Sequence, residues 1–559
     1  MDTTARSVNS TLEIPASVER PPVIHHRAMK RSGLASALLA LPAAAVTLAI
    51  VLPGLGHRAM WNDEYATWYA ATLSAGDLLR LLDHVDAVVA PYYLFMHAWI
   101  AVFGDSAASL RMPSALAMAA AAGLTTLLGR RLFNTVVGLA AGLLLACLPA
   151  VCRYGQEARP YALVMAATVL AGLLLVRAAL WPVWRRWWGY AAAMTAVALL
   201  HFVALTALVS HTYFVLRAMR GRRDFRILRW CVPLAVVVTV VLPLAAKGSH
   251  ESSAIDWISA DGKALAQLPG KTFGSGAVAA ALLVLAGLGA LALWLAGPYA
   301  PVFADARDRA TAGNGWPDGV RQDGAGSDTA AHELVAWNGA SRDKAVMLVC
   351  WALFPPVFCY LTFPVLHLLL FRYLLFTLPA YCLLAAAVGH AALGRVRGAR
   401  WLVPVLTFGL AVAIAFVGVP GQHAARRSPV VGEPDLRAAA RVVAAHLRPS
   451  DGVAYAGTAR NGRRAFAYEL RGHPAPRDIF LAVSSQQLGT FGAFECKEPG
   501  SCAGETPRIW LVSTAPDSAD RFAQMPATTA ALLHDEFTAQ QEWRLTGVRV
   551  SLLVRTGTL

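Results

Sequence analysis

The chain has 559 residues, of which 57% are hydrophobic and 15% charged, and its mean hydropathy is +0.49. Soluble domains rarely contain so much apolar sequence, so this composition favours a membrane protein with several transmembrane helices. The formal net charge is +15. However, Lys and Arg fall in short clusters between apolar runs, and no basic patch is interleaved with aromatic residues. This pattern sets membrane orientation and argues against nucleic-acid binding.

The chain begins with a polar segment, residues 1–33, expected in the cytoplasm. The first apolar run, about residues 34–55, is long enough to span a membrane and lacks a small-residue cleavage site, which predicts an uncleaved helix. Residues 56–111 then form a long extracytoplasmic loop. Its apolar stretch 91–103 is short, and counting it as a span would turn the later Arg-rich loops outward. We therefore interpret it as a helix at the membrane interface.

About eleven transmembrane helices are expected. The run 188–218 is too long for one span and is basic at both ends, which predicts a hairpin of two short helices turning near His201. The transmembrane domain is assigned to residues 34–419 and contains a flexible cytoplasmic loop at 298–343 that lacks periodicity. The remaining spans are predicted at about 112–129, 133–151, 161–179, 230–246, 275–297, 344–364, 373–393 and 401–419.

From about residue 421 onward the composition becomes that of a soluble protein. Apolar residues at helical spacing predict a helix over 434–447, and strands are predicted at 452–456, 508–513 and 548–554. We therefore expect residues 421–559 to form a small α/β domain, placed outside the cytoplasm by the number of spans. That location would permit a local disulfide between Cys496 and Cys502.

The main candidate for chemistry is the sequence Trp61-Asn62-Asp63-Glu64-Tyr65, which follows the first span. Two adjacent carboxylates at the edge of a bilayer are costly unless they are solvated or paired, and such groups are often functional. A carboxylate within hydrogen-bond reach of a hydroxyl can take its proton. Asp63 is therefore predicted to be a catalytic base, with Glu64 as a second catalytic carboxylate. The alternative is that both acids only stabilise the start of the following helix.

Six segments follow one another in an order that resembles a known family: WNDEYATWYA, HVDAVVAPYYLFMHAW, FGDSAASLRMPSALA, LGRRLF, YGQEARPYAL and FRYLLFTLPA. Over about residues 34–419 the chain resembles the polyprenyl-phosphate-sugar-dependent glycosyltransferases of the C-type superfamily (GT-C). Within it, the chain is most similar to the protein-mannosyltransferase-like branch and its actinobacterial mannosyltransferases of cell-envelope lipoglycans. The chain departs from many relatives at residues 89–91, where Val-Ala-Pro replaces a His before the Tyr pair, so the acceptor stays open.

The resemblance implies an integral plasma-membrane enzyme whose active site faces outside the cytoplasm. Asp63 would take the proton of the acceptor hydroxyl, and a mannosyl residue would move with inversion from polyprenyl-phosphate-mannose to a glycan such as a lipoglycan. The lipid-linked donor and the glycan are the expected partners, and no cofactor beyond this donor is implied with certainty. The oligomeric state stays open.

Other functions remain as alternatives. Arabinosyl, aminoarabinose and protein-O-mannosyl transferases share the same skeleton. A transporter or flippase of lipid-linked sugars predicts internal repeats or charges at mid-membrane, and neither is evident in the sequence. An inactive scaffold is a third alternative, against which the intact Asp63-Glu64 pair argues.

Further candidate substrate-binding residues lie in the loops and at the ends of spans. His84 and Asp86 could hold the acceptor or orient Asp63, and the alternative is that they are part of a solvated loop. They lack a third ligand, so no metal is predicted. Arg372 opens a span beside a Leu-rich segment, which predicts a contact to a polyprenyl phosphate. Its alternative is an arginine that snorkels to the membrane surface. The other predicted substrate contacts are Tyr92, Tyr93, Arg153, Gln156, Glu157, Arg159 and Tyr373, with an interfacial ion pair as the alternative for Glu157.

Overall fold

The structure, a computed structural model, describes residues 25–180, 182–219, 227–249, 256–296, 341–393, 401–457, 462–515 and 520–557. The described residues from Leu39 onward belong to one compact unit, and residues 25–38, at the start of the first helix, belong to another. The predicted cytoplasmic tail up to residue 24 lies outside the described residues, as does most of the predicted flexible loop at 298–343.

Helices make up the described chain as far as residue 425. Between them lie the 3-10 helices Ala87–Val89, Phe202–Ala207 and Phe371–Thr377. The α-helices are α1 (His25–Val51), α2 (Asn62–Thr72), α3 (Ala75–His84), α4 (Ala90–Phe103), α5 (Ala107–Leu132), α6 (Thr135–Cys147), α7 (Pro149–Gly155), α8 (Tyr161–Leu180), α9 (Trp184–Leu200), α10 (Leu208–Met219), α11 (Leu228–Ser249), α12 (Gly262–Phe273), α13 (Gly276–Leu295), α14 (Ser341–Leu361), α15 (Phe363–Leu366), α16 (Leu378–Leu393) and α17 (Leu402–Ala425).

In the described residues, eight helical segments are long and apolar enough to cross a membrane, or nine if α6 and α7, which are bent by 62°, count as one span. Two shorter apolar helices cover 37–51 and 87–103. The prediction of an all-α membrane protein with a small C-terminal α/β domain is confirmed. The eight segments are Ala107–Leu132, Tyr161–Leu180, Phe202–Met219, Leu228–Ser249, Gly276–Leu295, Ser341–Leu361, Phe371–Ala392 and Leu402–Ala425.

Two of the apolar runs predicted as spans are interrupted, and the described residues contain fewer full-length spans than the roughly eleven predicted. Helix α6 ends at Cys147, and α7 begins at Pro149. The residue before a proline avoids the helical conformation, so Leu148 is extended and the run bends there. Helix α9 ends at Leu200, and the extended residue His201 follows. The turn predicted near His201 coincides with this break.

The C-terminal region combines helices with a mixed sheet. Its elements are α18 (Leu436–His446), β1 (Gly452–Ala456), α19 (Gly462–Glu469), β2 (Arg477–Asp478), β3 (Leu481–Val483), α20 (Ser485–Leu488), β4 (Phe494–Glu495), α21 (Pro499–Ala503), β5 (Arg508–Ser513), α22 (Ala527–Glu536), β6 (Phe537–Leu545) and β7 (Val548–Arg555). The five-stranded sheet has the order β2-β1-β5-β7-β6, and β3 pairs with β4 separately. Strands β2, β1 and β5 are parallel, and β7 and β6 are antiparallel to their neighbours. The three predicted strands are β1, β5 and β7.

This C-terminal domain packs directly on helix α2. The Tyr65 hydroxyl donates a hydrogen bond of 2.9 Å to Glu469 Oε1. The rings of Tyr65 and Trp68 lie 5.8 and 5.2 Å from the ring of Tyr468, and apolar residues of both parts form one buried cluster. The orientation of α2, and with it that of Asp63 in its first turn, therefore depends on both parts of the protein.

Cys496 and Cys502 are joined by a disulfide across a sequence separation of 6 residues. A cross-link stabilises mainly by restricting the unfolded chain, and a loop this short is worth roughly 2 kcal/mol. We expect the double replacement by serine to lower the midpoint of thermal unfolding of the purified protein. Cys231→Ser, which removes a free cysteine of α11, is the control. Equal midpoints for the wild-type protein and the double variant would contradict the expectation.

Candidate active site

Asp63 and Glu64 lie in the first turn of α2, where Trp61 enters the helix in an extended conformation. Successive residues of a helix point about 100° apart, so the two carboxylates have different environments. The side chain of Asp63 is 23% exposed. That of Glu64 is fully buried. Of the two, only Asp63 is accessible to a substrate.

Two arginines from distant parts of the chain face Asp63. The Nη2 atoms of Arg159 and Arg372 lie 3.7 and 3.6 Å from Asp63 Oδ2. Each arginine side chain is 12% exposed, and its Nε is buried without a hydrogen-bond partner among the described residues. Guanidinium groups with unused donors are suited to bind a phosphate. The structure thus brings together three of the predicted site residues.

Aromatic rings hold Arg372 in place. Its guanidinium carbon lies 5.3 Å from the ring centroid of Trp61 and 5.6 Å from that of Trp257. The ring of the next residue, Tyr373, packs 4.5 Å from the ring of His201. Because both rings attract the cation and restrict it, this arginine is less mobile than one that snorkels freely. Tyr373, a predicted substrate contact, thus packs against His201.

Glu64 forms a buried ion pair with Arg111 of α5. Both Glu64 oxygens accept hydrogen bonds of 2.7 Å from this guanidinium, and the Ala158 N–H donates another of 2.9 Å. Burial raises the pKa of Glu64, but the charge and hydrogen bonds of Arg111 outweigh it, so the pKa lies below its ordinary value of 4.5. Arg111 also donates to the backbone carbonyls of Leu55 and Arg58. These bonds fasten α2 to α5 and to the first loop.

Glu157 is a second buried carboxylate near the site. Its Oε1 lies 3.2 Å from Arg153 Nε and 3.8 Å from Arg58 Nη2. Burial raises the pKa of Glu157 above its ordinary value, although both arginines oppose this. The side chain of Gln156 donates to the Val51 carbonyl at 2.7 Å. Glu157 thus forms the interfacial ion pair considered as an alternative, and Gln156 fixes the loop to the end of α1.

The other predicted contacts lie on α3, α4 and the turn between them. Tyr93 is buried and donates a 2.7 Å hydrogen bond to Asp86, which has a φ of 57°. Tyr92 is buried, and its hydroxyl has no partner among the described residues. His84 is exposed, and its Nδ1 lies 2.8 Å from a carbonyl oxygen of its own helix. The described residues show no hydrogen bond or ion pair between His84 and Asp63, so the structure gives no support for His84 orienting Asp63.

Sequence reasoning missed the carboxylate of Glu433, which lies after the last span, in the segment that enters the C-terminal domain. Its side chain is partly buried. Burial raises the pKa of Glu433 to about 6, Asp63 acts in the same sense, and Arg153 and Arg372 oppose the rise. No spacing rule connects Glu433 with Asp63, because most of the chain lies between them. The only signal was the polar composition of this segment.

The described part of the chain contains no group of three or more His, Cys, Asp and Glu side chains arranged to hold a metal ion. What the site offers is a carboxylate, Asp63, beside two cations whose Nε atoms have no hydrogen-bond partner among the residues described. Such an arrangement can remove a proton from a hydroxyl while it holds an anionic group nearby.

One protein family matches part of the chain. Residues 88–246 match the family described as dolichyl-phosphate-mannose-protein mannosyltransferase, and this match covers less than half of the sequence. No curated protein matches the chain.

The fold is similar to solved structures at low sequence identity. ArnT from Cupriavidus metallidurans bound to undecaprenyl phosphate has a TM-score of 0.51 at 14% identity, covering 92% of this chain and 98% of that chain. The apo state of the same protein gives 0.51 at 15% identity, covering 94% and 98%. The oligosaccharyltransferase of Archaeoglobus fulgidus in complex with zinc and sulfate gives 0.45 at 11% identity, covering 92% and 72%.

The chain is thus a multi-pass membrane protein with the fold of the C-type glycosyltransferases, as predicted. Together with this fold, the family match indicates a glycosyltransferase. The predicted resemblance to actinobacterial mannosyltransferases is more specific than the family match and the fold similarity support.

Proposed function

We propose that the protein is a plasma-membrane glycosyltransferase that moves a mannosyl residue from polyprenyl-phosphate-mannose to a cell-envelope glycan, such as a lipoglycan, outside the cytoplasm. The observation that carries this proposal is the approach of Arg159 and Arg372 to the same oxygen of Asp63. The family match to mannosyltransferases supports the choice of sugar. The undecaprenyl phosphate bound to ArnT, which has a similar fold, supports a polyprenyl-phosphate donor.

In the proposed reaction Asp63 accepts the proton of an acceptor hydroxyl while the hydroxyl oxygen bonds to the anomeric carbon. The bond from that carbon to the phosphate oxygen breaks on the opposite side, so the configuration inverts. Phosphate is a good leaving group, and Arg159 and Arg372 would stabilise its charge. One carboxylate therefore suffices, unlike the pair of a glycoside hydrolase.

Glu64, predicted as a second catalytic carboxylate, has both oxygens buried and hydrogen bonded. We assign it the role of a positioning residue that holds the first turn of α2, and thereby Asp63. Arg111 shares this role.

The distribution of charge supports a site outside the cytoplasm. Helix α5, a candidate span, leads from the acidic first loop to the arginine pair at 130–131 in its last turn. Lys and Arg are enriched in cytoplasmic loops, so this end of α5 is assigned to the cytoplasm. The first loop, which carries Asp63, then lies on the opposite side.

The test is a transfer assay with the full-length protein in membranes, compared with membranes that lack it. Radiolabelled polyprenyl-phosphate-mannose is supplied beside the corresponding arabinosyl and aminoarabinosyl donors, and label is followed into endogenous glycan. We expect transfer from the mannosyl donor. Transfer from another donor alone would refute the choice of sugar. Movement of the intact lipid-linked sugar across the membrane without transfer would favour the transporter.

Arg372→Ala is expected to raise the KM for polyprenyl-phosphate-mannose by about ten-fold or more, because the variant loses a charge-assisted contact to the phosphate. Arg372→Lys should fall between the wild-type protein and the alanine variant, since lysine keeps the charge but not the planar group that stacks on Trp61. Arg80→Ala, which removes a half-exposed arginine of α3, is the control. An unchanged donor KM in Arg372→Ala would rule out this phosphate contact.

A further inference from the structure

A cavity of about 250 Å³ lies between the start of α2 and the C-terminal domain. Trp61, Asn62 and Tyr65 line one side, and Glu433 and Thr514 line the other. Its volume corresponds to roughly eight water molecules, which is of the order of one sugar ring. Because both parts of the protein form its walls, neither part alone contains this cavity.

The polar atoms of this cavity match the needs of a pyranose. The indole N–H of Trp61 is buried and has no hydrogen-bond partner in the part of the chain that the structure describes. Glu433 forms no ion pair with any described residue, and the Asn62 side-chain oxygen is fixed by Arg464 at 3.0 Å. An aromatic ring packs against the C–H face of a sugar, a carboxylate accepts hydrogen bonds from its hydroxyl groups, and an indole N–H donates to them.

The position of the cavity connects it to the proposed chemistry. Trp61 and Asn62 directly precede Asp63 in the chain. The indole of Trp61 also carries the guanidinium of Arg372 at 5.3 Å from its centroid. Asp63 and Arg372 do not line the cavity themselves, but the charges of both act on Glu433, which does. A sugar held by Glu433 therefore lies near the proposed base and near the arginine assigned to the donor phosphate, as an acceptor must.

We propose that this cavity binds the acceptor sugar, and that Glu433 of the C-terminal segment is an acceptor-binding residue that holds its hydroxyl groups. The inference rests on the proposed function of Asp63 and adds to it the class of acceptor, a pyranose-containing glycan. It also gives the C-terminal domain a part in acceptor selection.

Binding can be measured without any donor. Full-length protein in lipid nanodiscs is mixed with methyl α-D-mannobioside, and saturation-transfer NMR reports the bound sugar for the wild-type protein, Glu433→Gln and Glu498→Gln. Glu498 is an exposed carboxylate of the same domain and serves as the matched control. We expect the wild-type protein and Glu498→Gln to bind alike, and Glu433→Gln to bind about ten-fold more weakly, because it loses a charge-assisted hydrogen bond. Equal binding by all three proteins, or no binding by the wild-type protein, would overturn the proposal.

Transfer kinetics distinguish the proposed acceptor site from the proposed polyprenyl-phosphate-mannose donor. Glu433→Gln should raise the KM for the mannobioside and leave the KM for polyprenyl-phosphate-mannose unchanged. If the protein binds the mannobioside through Glu433 but transfers no mannose, the proposed acceptor site stands and the proposed mannosyl donor is refuted. Normal transfer by Glu433→Gln would refute the acceptor site alone. If Glu433→Gln does not fold, Trp61→Phe removes the unpaired N–H and keeps a ring. The proposal then requires weaker mannobioside binding by Trp61→Phe, and unchanged binding overturns it.

Discussion

Asp63→Asn and Asp63→Ala are expected to lower the rate of sugar transfer by about 10²-fold to 10⁴-fold, the usual contribution of a positioned general base. The amide of asparagine has nearly the shape of the carboxylate but accepts no proton from a hydroxyl. The protein should still fold, because Asp63 is partly exposed and its two ion pairs are longer than 3.5 Å. The measurement is transfer of radiolabelled mannose in membranes containing equal amounts of each protein.

Asp83→Asn is the matched control for this variant. Asp83 is a carboxylate of the same loop whose side chain is 72% exposed and whose partner is Lys247. It should transfer sugar at the wild-type rate. If Asp63 only stabilised the start of α2, Asp63→Asn would lower the thermal midpoint slightly, by an interaction worth about 1 kcal/mol or less, and leave transfer unchanged. That result would remove Asp63 from the mechanism.

Sequence reasoning identified those site residues whose position in the chain, beside an apolar run, marks them out. Asp63 follows the first apolar run, and Arg372 stands at the opening of a late one, so both were recognisable as charges at the membrane edge. The structure adds that they meet at 3.6 Å. The sequence alone contains no measure of that distance, because the helices between them can pack in many ways.

The parts that sequence reasoning missed depend on contacts between distant residues. Glu64 looked like Asp63 in sequence, and only its bidentate bonds to Arg111 show that it points into the protein. Similarly, Glu433 stands in a polar segment of ordinary composition and becomes part of a cavity through the packing of the C-terminal domain on α2. Hydrophobic periodicity predicts elements well, but it does not predict which charged groups of separate elements are neighbours.

Glu64→Ala and Arg111→Ala are each expected to lower the free energy of unfolding by about 3–5 kcal/mol, because each leaves a buried charge without its partner. Both side chains are fully buried in the ion pair. Total stabilities are typically about 5–15 kcal/mol, so the variants should show a much lower thermal midpoint and a lower yield. The double variant Glu64→Leu/Arg111→Met should be less destabilised than the sum of the single changes. It should not recover fully, since Arg111 also serves the carbonyls of Leu55 and Arg58.

The pH dependence of stability gives a second measure of this ion pair. The pKa of Glu64 in the folded protein lies below its ordinary value of 4.5. The contribution of ionised Glu64 to stability is therefore complete above about pH 4.5 and is lost as the pH falls through the lower pKa of the folded state. The wild-type protein should lose thermal stability in that acidic range, and Glu64→Gln should lack this component.

The same variant separates positioning from catalysis. A positioning role predicts that reduced transfer accompanies a lower thermal midpoint. A Glu64→Gln protein with the wild-type midpoint but no transfer would instead make Glu64 a catalytic residue.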